Sequence, residues 1–176
     1  MAKFNTLCDI MQIPKYDGRK ISLSTKDGKP LRIQTPRMYM PFGISGYTPV
    51  VGATKWNLDF SMKGHDEESN YVKAFYESLQ DAEKKLIEEV SAQSIHIFGK
   101  HVSFEELEPM FNSNIKQTPD REPKFRTRVD TSMGGDLKVG VFNSEKEQLK
   151  DTLKDKLYAR NSGVAIVEMN SVYFLN

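Results

Sequence analysis

One cysteine, Cys8, stands among 176 residues. That excludes an internal disulfide framework and any cysteine-based metal cluster, and it fits a reducing, intracellular compartment. Long apolar runs are missing too. Nothing approaches the roughly 20 consecutive apolar residues that span a bilayer, so no membrane partner is expected. The first residues, broken by Asp9 and Pro14, lack the apolar core of a secretory signal. An excess of one charge is also lacking: 25 basic and 24 acidic side chains leave a net charge of +1. No global field draws the chain to a polyanion, and such a site has to come from local segregation of charge. Catalytic signatures are scarce. There is no phosphate-cradling glycine loop and no nucleophile elbow, since Gly43-Ile44-Ser45-Gly46 has the wrong spacing. His96 and His101, five apart across Gly99 with no thiolate, make a poor metal pair. The sequence points away from an enzyme, and neither metal nor cofactor is expected.

What is present is segregated charge. In Lys124-Phe125-Arg126-Thr127-Arg128-Val129, strand alternation puts Lys124, Arg126 and Arg128 on one face and Phe125, Thr127 and Val129 on the other. The cations then form a row with a repeat of roughly 6.6–6.8 Å, suited to an extended polyanion, over a face apolar enough to pack on a core. The plain alternative is a solvated strand face. Acidic residues gather elsewhere, in 66–68, 81–89 and 105–108.

Taken in order, residues 1–20 read as an arm or a first strand covering a sheet edge. Ile21–Thr25 and Leu31–Gln34, around Asp27-Gly28, predict a hairpin with Ile21 and Leu23 facing Leu31 and Ile33. After Pro36, the stretch 37–43 resumes a strand with Arg37 and Tyr39 on one face, opposite Met38 and Met40. Tyr39, and with it Phe42, is a candidate for stacking on a base. Glycines at 43, 46 and 52 make 43–53 a loop. Residues 54–62 alternate cleanly, with Trp56, Leu58, Phe60 and Met62 inward and Lys55 and Asn57 exposed.

Val72, Phe75, Leu79, Ala82, Leu86 and Val90 recur at helical steps and predict a helix over about 69–92, with Asp81 and Lys85 paired outside. Residues 95–98 read as a strand and 103–111 as a short acidic helix. A second hairpin joins 124–131 to 137–142, bringing Lys138 towards the basic row. Ser144 and Glu147 have capping-box spacing for a helix over 145–159 with Leu149, Leu153 and Leu157 inward. Val164–Leu175 reads as a strand pair or one kinked strand. Its abrupt end, without a polar tail, predicts that the natural protein continues.

The expected fold class is α+β: a single domain built on an antiparallel β-sheet or an OB-like barrel with inserted helices. Several segments together, Met40-Pro41-Phe42-Gly43, Lys55-Trp56-Asn57-Leu58-Asp59-Phe60, the long helix, Ile97-Phe98-Gly99-Lys100 and Lys124-Phe125-Arg126, resemble the single-stranded-DNA-binding protein family of nucleocytoplasmic large DNA viruses, the group of African swine fever virus and the giant viruses. The resemblance implies an OB-like core that coats single-stranded DNA without sequence preference during viral replication, recombination or repair, at a replication site in the host cytoplasm or nucleus. It also implies an extension past the last strand that serves strand binding or self-association. The residues agree in kind. Arg37, Lys55, Lys124, Arg126, Arg128 and Lys138 are candidates for phosphate, Tyr39 and Phe42 for stacking, and Asn57 for a polar contact. Two other readings stand beside it: a viral structural or scaffolding protein that meets an acidic partner, and an RNA-binding module.

Overall fold

The computed structural model describes residues 6–175. It is a mixed α and β protein whose strands pair antiparallel throughout. The chain divides into two compact units, Met1–Pro36 with Gly64–Ser113 and Val164–Asn176, and Arg37–Lys63 with Asn114–Gly163. Strands are numbered β1 to β14 and helices α1 to α4 along the chain. No described helix is long and apolar enough to cross a membrane, and no barrel closes among the described residues.

In the first unit, α2 (Tyr71–Ala92) follows from the helical spacing of its apolar residues. Val72, Leu79, Ala82, Leu86, Ile87 and Val90 are buried, and the Asn70 side chain caps the start by accepting from the Val72 amide. Lys85 donates to the Cys8 carbonyl in place of the expected pairing with Asp81. Within the stretch read as an N-terminal arm, a helical turn, α1 (Leu7–Ile10), whose Leu7 amide donates to Ser78 of α2, is followed by β1 (Met11–Gln12). Residues 1–5 of that arm lie outside the described residues.

The first predicted hairpin does not form as a ladder. The turn is there, with Gly28 at φ 78° and the Thr25 amide donating to the Lys29 carbonyl. The flanking strands pair elsewhere. β2 (Lys20–Ser22) joins β14 (Ser171–Tyr173), β3 (Ser24–Thr25) joins β1, and β4 (Leu31–Gln34) joins β13 (Ile166–Met169). The kinked C-terminal segment thus takes up the edges of both β4 and β2, which a turn signature 140 residues away has no means of announcing.

Asp27 of that turn accepts from Thr25 and pairs with Lys29. The Lys29 ammonium first, then the Thr25 hydroxyl, pull its carboxyl down to about 2. A depressed carboxyl stabilises the turn fully above the ordinary aspartate range near 3.9 and loses that contribution as pH falls through the lowered value. A carboxyl-detected NMR titration is expected to place Asp27 near 2, and a midpoint close to 4 would show the turn unformed.

Residues 94–98 form α3 (Ser94–Phe98), not a strand. Ser94 is buried, donates to the Ser91 carbonyl and accepts from the Val102 amide, while Gly99 ends the helix at φ 73°. Ile95 and Ile97 alternate like a strand, but the end of α2 and this cap decide the local geometry. The short acidic helix is α4 (Phe104–Leu107), started by the Ser103/Glu106 capping box and continued as a 3-10 turn over Glu108–Met110.

The second unit is organised on a four-stranded sheet in the order β6 (Ile44–Tyr47), β7 (Lys55–Ser61), β9 (Lys124–Val129), β8 (Ile115–Lys116). β6 lies inside the stretch read as a loop. Gly46 faces Trp56 across the ladder, and a Cβ there would sit 2.8 Å from the indole ring, so the glycine marks close packing and not flexibility. The inner face carries Ile44, Val129 and Leu157, with Trp56 and Leu58 packed against them, and Phe60 stacks on Phe125 with ring centres 6.5 Å apart. Trp56 is partly buried and packs against that core, on the inner side that its apolar neighbours two and four positions on predict.

Beside this sheet, β5 (Met38–Met40) pairs with β12 (Asn161–Gly163), and β10 (Val141–Phe142) pairs with β11 (Gln148–Leu149). Two expectations fail here. The predicted hairpin of 124–131 with 137–142 closes only at its turn, through a Thr131–Leu137 bridge and the Lys138 amide on the Asp130 carbonyl, while β9 itself pairs with β7 and, at Lys124 and Phe125, with β8. The helix over 145–159 does not form. Asn143 accepts from the Glu145 and Glu147 amides and tightens a β-turn instead. Leu153 and Leu157 still face the core, but from an irregular segment with Lys156, Tyr158 and Arg160 at φ 61–62°.

Candidate nucleic-acid interface

Register assembles the outer face of the four-stranded sheet. β7 and β9 pair Ser61 with Lys124, Asp59 with Arg126 and Asn57 with Arg128, while β6 sets Ser45 opposite Asn57 and Tyr47 opposite Lys55. Lys116 of β8 lies across from Lys124. Alternation therefore delivers the expected row of Lys124, Arg126 and Arg128 on one side, with Phe125 and Val129 buried on the other.

The row is not a uniform comb. Asp59 stands in its middle, only 6% exposed. Arg126 grips it with two parallel bonds, Nε to Oδ1 at 2.7 Å and Nη2 to Oδ2 at 2.8 Å. This carboxylate contact holds the Arg126 guanidinium above its ordinary range, against the opposing effect of burial. Lys124 approaches the same carboxylate at 3.8 Å and lies over the Phe42 ring, 5.0 Å from its centre. Arg128, exposed, has no carboxylate partner among the described residues. Phe42, Ser45, Gly46, Tyr47, Asn57, Asp59, Lys124 and Arg126 line a cleft of about 410 Å³.

Of the residues singled out in the sequence, Phe42, Asn57, Lys124 and Arg126 thus share one cleft, and Arg128 and Lys55 lie on the same face. Tyr39 belongs to the β5–β12 ladder and is exposed, and Arg37, just before β5, donates to the Ser162 carbonyl. Neither lines the cleft. Lys138 is exposed but does not continue the row: it lies beside Asp130, past the end of β9, in a segment that forms no ladder with Lys124–Val129.

Sequence reasoning missed Tyr47, Ser45 and Lys116; it put Asp59 on the polar side of its strand with Lys55, Asn57 and Ser61 and left open only whether it faces the ligand path. Tyr47 was hidden by the glycines that disguised β6 as a loop. Lys116 sat in a stretch read as a polar linker. Asp59 was legible in principle: alternation puts it with Asn57 and Lys55, and only its partner strand was unknown. No group of three or more histidine, cysteine or carboxylate side chains among the described residues is placed to hold a metal ion.

Comparison with protein-family models, with curated proteins and with solved structures returns no match for this chain.

Proposed function

We propose that the outer face of the four-stranded sheet binds single-stranded DNA without sequence preference, as in viral DNA replication, recombination or repair at an intracellular replication site. The observation that carries this reading is the juxtaposition of exposed rings with cations on one face: Phe42 beside Lys124 at one end, Tyr47 across from Lys55 at the other, and Arg126 and Arg128 between. Non-specific single-strand binders need both parts. Cations follow the backbone and lose affinity with salt, and rings offer a π-face to any base. Kinship with OB-type proteins, which present a partly open sheet to single strands, belongs to the same reading.

The experiment is a titration of labelled oligothymidylate at low and high salt, with duplex DNA and matched RNA as competitors. Preference for single-stranded DNA and a negative salt slope are expected. No binding at low salt overturns the reading, and preference for RNA would move it to a module that reads the 2′-hydroxyl. Arg128→Ala is the cleanest cation to remove, because it leaves no buried carboxylate unpaired. It is expected to reduce the salt slope by about 0.7, and an unchanged slope places the phosphate track elsewhere.

A further inference from the structure

The Asp59–Arg126 pair admits two opposite roles on a polyanion-binding face. A carboxylate among cations can act as a resident competitor that a phosphate has to displace. It can equally be a fixed post that holds a guanidinium in place while its other edge meets the ligand. Both roles use the same two hydrogen bonds, so the choice rests on burial and on the donors left over.

Burial is asymmetric. The Asp59 side chain is 8% exposed and that of Arg126 is 43% exposed, so the carboxylate lies beneath and the guanidinium lies outermost. Drawing Arg126 away would strand a desolvated carboxylate with only Lys124, 3.8 Å off, and a buried charge without its partner is strongly destabilising. Displacement is therefore disfavoured. A guanidinium has five N–H donors in a rigid fork. Asp59 takes two of them, on Nε and on one side of Nη2. Both Nη1 hydrogens and the second Nη2 hydrogen remain, in the plane that Asp59 fixes.

We propose that the exposed Nη1/Nη2 edge of Arg126 is a phosphate subsite and that Asp59 is its positioning residue. The inference deepens the single-strand-binding reading and rests on it. The subsite takes one backbone phosphate bidentately, in the geometry a guanidinium fork offers and an ammonium does not. Phe42, against Lys124 in the same cleft, then lies where an adjoining base can stack. Lys124 is the adaptable member of the group: held by one long contact to Asp59 and by the Phe42 ring, it can turn towards phosphate without leaving the carboxylate unpaired. The pair also explains how a cation can sit at the centre of the face without adding net charge there. Its contribution is directional, and the salt dependence falls to Lys55, Lys124 and Arg128.

Two charge arguments give opposite signs, which makes the test sharp. Asp59→Asn removes a negative charge from a cationic face, so a competitor role predicts tighter oligothymidylate binding and a steeper salt slope. A positioning role predicts binding at least about 5-fold weaker at every salt concentration, whatever the added net charge does to the slope. Arg126→Lys keeps the charge and loses the fork. It is expected to weaken binding about 10-fold at constant slope, whereas a site that needs only charge would not respond. The single tryptophan, on β7 between Lys55 and Asn57, reports by its emission whether each variant keeps the sheet.

Measurements on the unmodified protein secure the result should either variant unfold. On saturation with oligothymidylate, the Arg126 Nε–H resonance is expected to keep its hydrogen-bonded position while the Nη signals shift. Release of Nε–H, or tighter binding by Asp59→Asn, overturns the inference and leaves single-strand binding standing. Absence of binding by the unmodified protein overturns both.

Discussion

Removing both rings, Phe42→Ala with Tyr47→Ala, is expected to weaken oligothymidylate binding by a factor of about 30 or more while leaving its salt slope unchanged. Stacking contributes about 1–3 kcal/mol per base on alanine substitution, and two platforms together exceed what any single phosphate contact supplies. The slope counts phosphates neutralised, and neither substitution removes a cation. Tyr47 is largely exposed at 64% and Phe42 about half exposed at 47%, so the folded state loses far less by their truncation than by removal of a buried ring. Phe42 also carries the Lys124 ammonium over its ring, and losing that contact leaves Lys124 with only its long approach to Asp59, still able to meet phosphate. Anisotropy titrations across a salt series separate the two parts. An unchanged affinity would remove the rings from the site, and a flattened slope would show that they act only by placing Lys124.

Gly43→Ala is expected to destabilise the second unit by about 2–4 kcal/mol, among the largest effects a single methyl group can have. Gly43 has φ 63°, and a Cβ there would lie 2.3 Å from the Leu157 carbonyl oxygen and 2.4 Å from the Ala159 nitrogen. These are backbone atoms and cannot swing aside. The same carbonyl accepts from the Ile44 amide, and the Lys156 amide donates to the Ile44 carbonyl. Gly43 therefore sits where the irregular 156–160 segment is clasped to β6. Displacing that segment withdraws Leu157 from its packing against Ile44 and Val129.

Gly135→Ala is the matched control. Its φ is 88°, but nothing lies within 4 Å of the added atom, so only the backbone penalty of about 1 kcal/mol applies. Denaturation followed by Trp56 emission compares the two. Equal effects would mean that conformation alone, and not the clasp, makes Gly43 necessary.

The long helix, the capped acidic helix and the inward Trp56 were readable because each depends on spacing within one segment. A 3.6-residue period selects the buried side of α2 wherever the helix docks. Alternation likewise fixed the sidedness of β7 and β9, and with it the fact that Lys124, Arg126 and Arg128 emerge together. Failures cluster where a local signature competes with a distant partner. Asp27-Gly28 makes its turn, yet β2 and β4 pair with residues 166–173. Ser144 and Glu147 have the spacing of a helix start, yet Asn143 captures the amides first.

By itself the sequence determined which side chains share a face of each strand, because pleating alternates them whatever lies alongside. Only the tertiary structure decided which strands stand side by side. That choice set Asp59 directly opposite Arg126, and so converted a row of three apparently equivalent cations into one anchored fork flanked by two freer charges. The physical reason is range: periodicity acts over two to four residues, whereas the Asp59–Arg126 contact joins positions 67 residues apart, and burial of the carboxylate exists only once both strands are in place.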